Sequence, residues 1–373
     1  MKINRLSAIL ILSVCITGGC MLTGCSTGAV KTDQTAGLHE VTDMAGRVVE
    51  LPDHIKQVYS TGQPGVVMLY TLCPDKLMGW DLKLSKEEAD YINAKYLSLP
   101  VLGLMQGSNN TANKEEIIRR RPDIILLMTE IDDSAVSTAD EIQDTMGIPV
   151  VIADYSLKNL PSAYEFLGEL LHEKERAEQL SEYCSNTLKE VEGLEAEIKP
   201  EDRVTVYYAQ GSNGLQTAPG GSSHSEVIDL VGGDNVVELK AEADGRLTIN
   251  MEQLLLYNPE VIIASYSMGH AAKSEGIDAI INNGFQEWKL LEAVKQNRTF
   301  NTPCYPFNWL DMPPSVNRII GIKWLGSLLY PDYYQYDIRE EVKKYYSLFY
   351  QKELSEEELN RLLEGSVRTV NAE

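Results

Sequence analysis

The stretch YYAQGSNGLQTAPGGSSHSE, residues 207–226, is the most unusual in the chain. Its glycines would let a ligand approach the backbone closely, and its hydroxyls and amides supply hydrogen-bond partners. Tyr208, Gln210, Ser223 and His224 are the candidate contacts it offers, and the bland alternative is a plain surface loop. A neutral imidazole can fill an open position on a metal, which makes His224 a candidate metal ligand and His270 a second candidate contact. The commoner fate of such a residue is a hydrogen-bonded surface histidine. A second stretch, Phe307-Asn308-Trp309, precedes the pair Pro313-Pro314. An aromatic ring in that loop can stack on a flat ligand, or it can pack the loop onto its own lobe. Trp309, Tyr305 and Trp80 face this choice. Tyr266 and Arg246 complete the set on the C-terminal side, while Gln63 and Gln106 are the amides available on the N-terminal side.

Several chemistries are absent. No Gly-Lys-Ser/Thr follows the glycine-rich stretch, so it is not a phosphate loop. No Gly-x-Ser-x-Gly elbow and no Ser-x-x-Lys occurs, which argues against a hydrolase. No Cys-x-x-Cys occurs, so neither a structural zinc site nor thioredoxin-like chemistry is supported. Direct capture of a bare metal ion wants about three histidines and a carboxylate. His39, His54 and His172 lie far from the glycine-rich stretch in sequence and do not supply that set.

The elements that must position these residues come in two similar groups. EEIIRRRPDIILL (115–127) and EQLLLYNPEVIIA (252–264) each place an acid seven residues before a proline and then run into an all-apolar segment. The residue before proline is pushed out of the helical region, so each reads as a short helix followed by a buried strand. Further apolar strands are expected at 57–60, 147–155 and 203–211, and a hairpin at 42–52 around Ala45-Gly46. Between the groups, Ala177, Leu180, Cys184, Leu188, Val191, Leu194 and Ile198 recur at helical spacing. They predict one helix over 174–198, about 37 Å long at 1.5 Å per residue. The expected fold is α/β, with two Rossmann-like lobes joined by one long α-helix. The organisation is residues 1–24 a signal, 25–38 a tether, 39–173 the first lobe, 174–199 the connecting helix and 200–373 the second lobe with terminal helices. A stiff connection of this kind predicts a small rocking of the lobes.

The start of the chain addresses it to a membrane surface. Lys2 and Arg5 precede an uncharged apolar run, and Leu22-Thr23-Gly24-Cys25 resembles the bacterial lipobox, whose cysteine is acylated after cleavage. Residues 26–37 have almost nothing to bury and read as a flexible tether. Loss of Lys2 and Arg5 takes the net charge from −22 to −24, which argues against a nucleic-acid partner and against a polybasic membrane patch. Cys15 and Cys20 leave with the signal; Cys73, Cys184 and Cys304 remain beside Cys25.

Taken in order, TDMAGRVVELPDHIKQVYS, RPDIILL, the long helix, MEQLLLYNPEVIIAS, PFNWLDMPPSVNRIIGIKWLGSLLYP and FYQKELSEEEL resemble the helical-backbone class of ABC-importer substrate-binding proteins. That family collects ferric siderophores, haem, cobalamin and related metal chelates. The resemblance implies a non-enzymatic, extracytoplasmic lipoprotein with no intrinsic cofactor, probing for a chelate of iron, cobalt or nickel. It implies as partners the importer permease with its ATPase, a membrane contact through lipid on Cys25, and a monomeric state. It places the ligand between the lobes, lined by loops at 60–65, 80–84, 103–110, 129–134, 208–224, 265–271 and 304–311. Those loops hold one lysine, Lys83, with Lys273 just beyond, while Arg246 and Arg318 could reach in; the balance leans toward a weakly charged chelate. Family members often dock onto permease arginines through a glutamate of the first helix. Alignment on Pro64 puts Met68 there, which leaves Glu226 of the second lobe as the docking candidate. Capture of a bare transition-metal ion is the alternative function, and a lipid-anchored hydrolase a more remote one.

Overall fold

The computed structural model describes residues 37–105, 110–238, 245–265 and 276–368. Cys25, Gln106, Tyr266 and His270 lie outside them. The first strands, β1 (Leu38–Thr42) and β2 (Val48–Pro52), form the expected antiparallel hairpin, with Gly46 at φ 82° in the turn. Then come β3 (Val58–Ser60), α1 (Gln63–Leu72), α2 (Lys86–Ala89), α3 (Lys114–Arg120), β4 (Ile124–Thr129), α4 (Asp133–Met146), β5 (Val150–Asp154) and α5 (Leu160–Leu170). Strands β3, β4 and β5 pair in parallel in that order, and parallel bridges Val58–Leu77 and Trp80–Val101 continue the first lobe beyond β3.

The long helix α6 spans Lys174–Glu195. It stops short of the expected end at Ile198: Ala196 caps it, and a tight turn at Pro200–Asp202 follows. Its stripe is as read from the sequence, with Ala177, Leu180, Cys184 and Val191 buried. The second lobe holds β6 (Thr205–Ala209), β7 (Gln216–Thr217), α7 (Glu226–Leu230), β8 (Asp234–Asn235), β9 (Leu247–Thr248), α8 (Met251–Tyr257), β10 (Val261–Ala264), α9 (Ile277–Asn283), α10 (Glu292–Lys295) and β11 (Thr299–Asn301). Its parallel sheet has the order β11-β10-β6-β8. Helices α11 (Asn317–Leu329), α12 (Ile338–Tyr350) and α13 (Glu356–Leu362) close the described chain.

The two repeated helix–strand units fold alike down to their stops. Arg121 (φ 54°) and Asn258 (φ 41°) take the left-handed conformation directly before Pro122 and Pro259. Proline forbids its predecessor the helical region, and a left-handed cap lets the chain turn at once into a buried strand. Both strands, β4 and β10, are buried over nearly their whole length, as a sheet covered on both faces requires.

One continuous core runs through both lobes. It includes Val58 and Met68 from the first lobe, Leu180 and Cys184 from α6, Val206 and Ile263 from the second lobe, and Tyr346 and Phe349 from α12. A separate cluster covers the outer face of each sheet. The shared middle layer, more than the connecting helix alone, ties the lobes together. Helices α5 and α6 approach closely at Gly168, where an added Cβ would lie 2.2 Å from the Ala177 Cβ. Gly168→Ala should therefore lower stability by about 1–3 kcal/mol through overpacking, read as a lower urea midpoint with unchanged slope.

Candidate ligand-binding site

In open parallel sheets, ligands bind beyond the carboxyl ends of the strands. Gln210 follows β6 at that end, and the loop 302–311 follows β11. The loop ends in Asp311, which is fully buried and around which four other side chains gather. The Tyr208 hydroxyl donates to its Oδ1 at 2.5 Å. Oδ2 accepts from Gln210 Nε2 at 3.0 Å and Arg246 Nη2 at 3.1 Å, and lies 3.2 Å from His224 Nδ1. Arg246 Nε in turn donates to Gln210 Oε1 at 3.2 Å. Burial alone would raise the Asp311 pKa, but the His224 hydrogen bond, the charges of His224 and Arg246 and the Tyr208 hydroxyl hold it below the usual aspartate value. The same burial, together with the Asp311 charge, drives the Tyr208 hydroxyl well above its ordinary range.

Arg246 Nη2 and Asp311 Oδ2 both lie against His224 Nδ1, at 3.3 and 3.2 Å, so the ring is held by that edge. Nε2 takes no part in these contacts, and a carboxylate behind the ring is the usual support for a metal-ligating histidine. Gly245 makes room for the ring: it sits at φ 76°, and an added Cβ would lie 2.6 Å from His224 Cδ2.

The expected residues divide into two groups. Tyr208, Gln210, His224 and Arg246 come together in this cluster, with Ser223 half-buried beside it. The large rings do not present themselves as expected. Trp309 is fully buried, its Nε1 3.4 Å from the Tyr346 hydroxyl, and Trp80 is 2 % exposed with its Nε1 on Tyr96 O. Both indoles are core residues of their own lobes, because the shared aromatic layer offers them more apolar contact than a cleft would. Tyr305 is half-buried and stacks on Tyr91, ring centroids 5.7 Å apart. Gln63 begins α1 and is half-buried. Glu226 is not a free docking carboxylate: it pairs at 2.8 Å with Arg318, which is itself fully buried. Arg318 also donates to Tyr155 O, immediately after β5, so this pair bolts the second lobe to the first. Met68 is buried in the core.

Sequence reasoning missed Asp311 as the organiser and Arg318 as the interlobe bolt. An acid and an arginine on either side of the Pro313-Pro314 turn were the available signal. It also missed Asp81, next to Trp80, which is 3 % exposed and has no partner for Oδ2. Three histidines do meet, though elsewhere: His39 Nδ1 lies 3.2 Å from Asp53 Oδ1, His172 Nε2 lies 3.2 Å from Asp53 O, and the His54 ring is edge-on to His172. Among the described residues no group of three or more His, Cys, Asp or Glu is arranged to hold a metal ion.

Two α/β lobes around a shared core, joined by one long helix and carrying a polar cluster at the strand ends, define a solute-binding architecture. The periplasmic binding protein family model matches residues 66–306, and the chain belongs to that family, whose members are solute-binding proteins of ABC transporters and not enzymes. An ABC transporter solute-binding protein from Sulfurospirillum deleyianum is similar at 31 % identity, covering 87 % of this chain and 98 % of that one, with a TM-score of 0.78. The molybdate periplasmic binding protein MolA from Haemophilus influenzae shares the fold at 20 % identity and a TM-score of 0.67, over 85 % of this chain and 99 % of that one. A vitamin B12-binding protein of Vibrio campbellii is 24 % identical over 205 residues, 54 % of this chain. The match spans 66 % of that relative's length. Among the described residues no helix is long and apolar enough to cross a membrane.

Burial pushes the Asp81 pKa up to about 6, with Glu88 adding to the rise and the Leu82 and Asp81 backbone N–H groups opposing it. Between the ordinary aspartate value and pH 6, the folded chain holds a proton that the unfolded chain has lost. Stability therefore falls as pH rises through that window, by about 3 kcal/mol from this group. Asp81→Asn should remove that fall, so that the variant gains on the parent between pH 4 and pH 7 in paired urea titrations.

Proposed function

We propose that this chain is a lipid-anchored, extracytoplasmic solute-binding protein that captures an intact metal chelate between its lobes and delivers it to an ABC importer permease. The observation that carries the reading is the Asp311–His224 pair, which holds the ring by Nδ1 and keeps Nε2 out of the cluster's own contacts at the strand ends. A chelate with an unfilled coordination position gains a ligand there, whereas a bare ion would need donors that the described residues do not assemble. The cluster also sets the charge of the cargo. Arg246 and Asp311 cancel each other, and Arg318 is occupied by Glu226, so among the described residues this cluster holds no surplus of cations for a trianionic complex. A weakly charged chelate of cobalt, iron or nickel fits this balance, and the B12-binding relatives support a corrin or a comparable flat complex. Stacking by Trp309 has no part in the reading, since that ring is buried.

The test is a panel of cyanocobalamin, aquocobalamin, haemin, ferric bis-catecholate and nickel–histidine, followed by tryptophan quenching and by absorption spectra. At least one complex with an exchangeable position should bind, and His224→Ala should shift its absorption bands and weaken it by tenfold or more. Binding of free nickel or cobalt ions with no chelate bound would favour the bare-ion alternative. Anchoring is tested separately: fatty-acid label should enter the parent chain, and Cys25→Ser should lose the label and appear in the medium.

A further inference from the structure

We infer that Tyr91 of the first lobe is a positioning residue for the Asp311 cluster, acting through the ring of Tyr305 in the second. Tyr91 is fully buried and cannot itself meet a ligand from solvent. Its ring lies on that of Tyr305 with centroids 5.7 Å apart and planes within 7°. Tyr305 and Asp311 stand at the two ends of one short loop, and that loop has little freedom to absorb a push. The Tyr346 hydroxyl of α12 donates to Tyr305 O and sits 3.4 Å from Trp309 Nε1. Asn317 Nδ2 donates to Phe307 O at 3.0 Å. Asn308 donates to Ser265 Oγ at 3.0 Å and accepts from Leu310 N at 2.7 Å. Pinned at so many points in a close-packed interior, the loop moves as a body.

Tyr91 is fixed from behind as firmly as Tyr305 is from beneath. Its hydroxyl donates to Glu358 O at 2.8 Å and accepts from Arg361 Nε at 3.3 Å. Arg361 pairs with Asp90 at 2.8 Å and lies over the Tyr91 ring at 5.4 Å. The C-terminal helices thus cross to the first lobe and hold Tyr91 against the cleft loop. A shift of the first lobe reaches Asp311 through contacts that have no slack, and Asp311 lies against Nδ1 of the His224 ring. The lobe-to-lobe geometry thereby bears on where that ring stands, a link that would tie capture and release of the solute to a small rocking. That consequence rests on the reading of His224 as a ligand contact; the positioning itself does not.

The experiment uses the full mature chain labelled with 15N at histidine and free of any chelate, with the His224 signals assigned from His224→Gln. In the parent, the two imidazole nitrogens of His224 should each give one defined signal. Tyr91→Phe keeps the stacked ring and should keep those shifts. Tyr91→Ala should move both signals while leaving those of His39, His54 and His172 in place. A folded Tyr91→Ala chain with the parent's His224 shifts would overturn the inference, as would a Tyr91→Phe chain as altered as the alanine variant. Should Tyr91→Ala not fold, Tyr91→Leu takes its place: it fills more of the space without an aromatic ring to stack on Tyr305, and should move the His224 shifts in the same direction by less. No movement there also overturns it. Because no chelate is present, a negative result from the chelate panel bears on the proposed function and leaves this outcome to stand or fall by itself.

Discussion

Everything at the strand ends depends on one buried negative charge. A carboxylate taken out of water is costly unless donors surround it, and once surrounded it dictates where each donor lies. Asp311 draws Tyr208 and Gln210 from β6 and its extension, His224 from just before α7 and Arg246 from the residue before β9. These four residues are scattered over 39 positions of sequence, and Asp311 is the side chain on which they converge. The glycine-rich composition of that region follows from the same demand. Chain segments of irregular path must converge on a single side chain, and Gly245 has to yield its Cβ position to the His224 ring.

The remainder of the fold keeps this cluster in register with the opposite lobe. The core is shared across the lobes, and the aromatic side chains of α12 pack against both the cleft loop and the first lobe. A buried arginine spans the seam, satisfied by a carboxylate on one side and a backbone carbonyl on the other. Breaking such a bolt would leave an uncompensated buried charge, so it resists separation even though it adds little net stability. The architecture favours small relative movements of the lobes.

The sequence disclosed the periodic parts well. The hairpin, the long helix and the two helix–proline–strand units follow from apolar spacing and from proline, whose constraints are local. That Tyr208, Gln210, His224 and Arg246 would lie near one another was legible because the fold's strand ends were foreseeable. What it did not disclose is what depends on contacts far apart in the chain. Trp309 reads the same whether its loop turns it inward or outward; the choice was made by Tyr346 and Trp324, which the loop's own residues do not reveal. Glu226 looked like a docking carboxylate because its partner, Arg318, lies 92 positions away. Asp81 could not be recognised as buried, since an aspartate after a short strand is usually solvated.

The central claim is that Asp311 presents His224 Nε2 to the metal of a bound chelate. X-ray absorption at the metal edge, on the complex with whichever panel member binds, tests it most directly. The account predicts an imidazole nitrogen at about 2.0–2.2 Å from the metal, in the range of ordinary metal–histidine bonds. It predicts loss of that shell in His224→Ala and a weakened one in Asp311→Asn, whose neutral amide no longer gathers the charged donors that hold the ring. A metal environment identical in the parent and in both variants would contradict it.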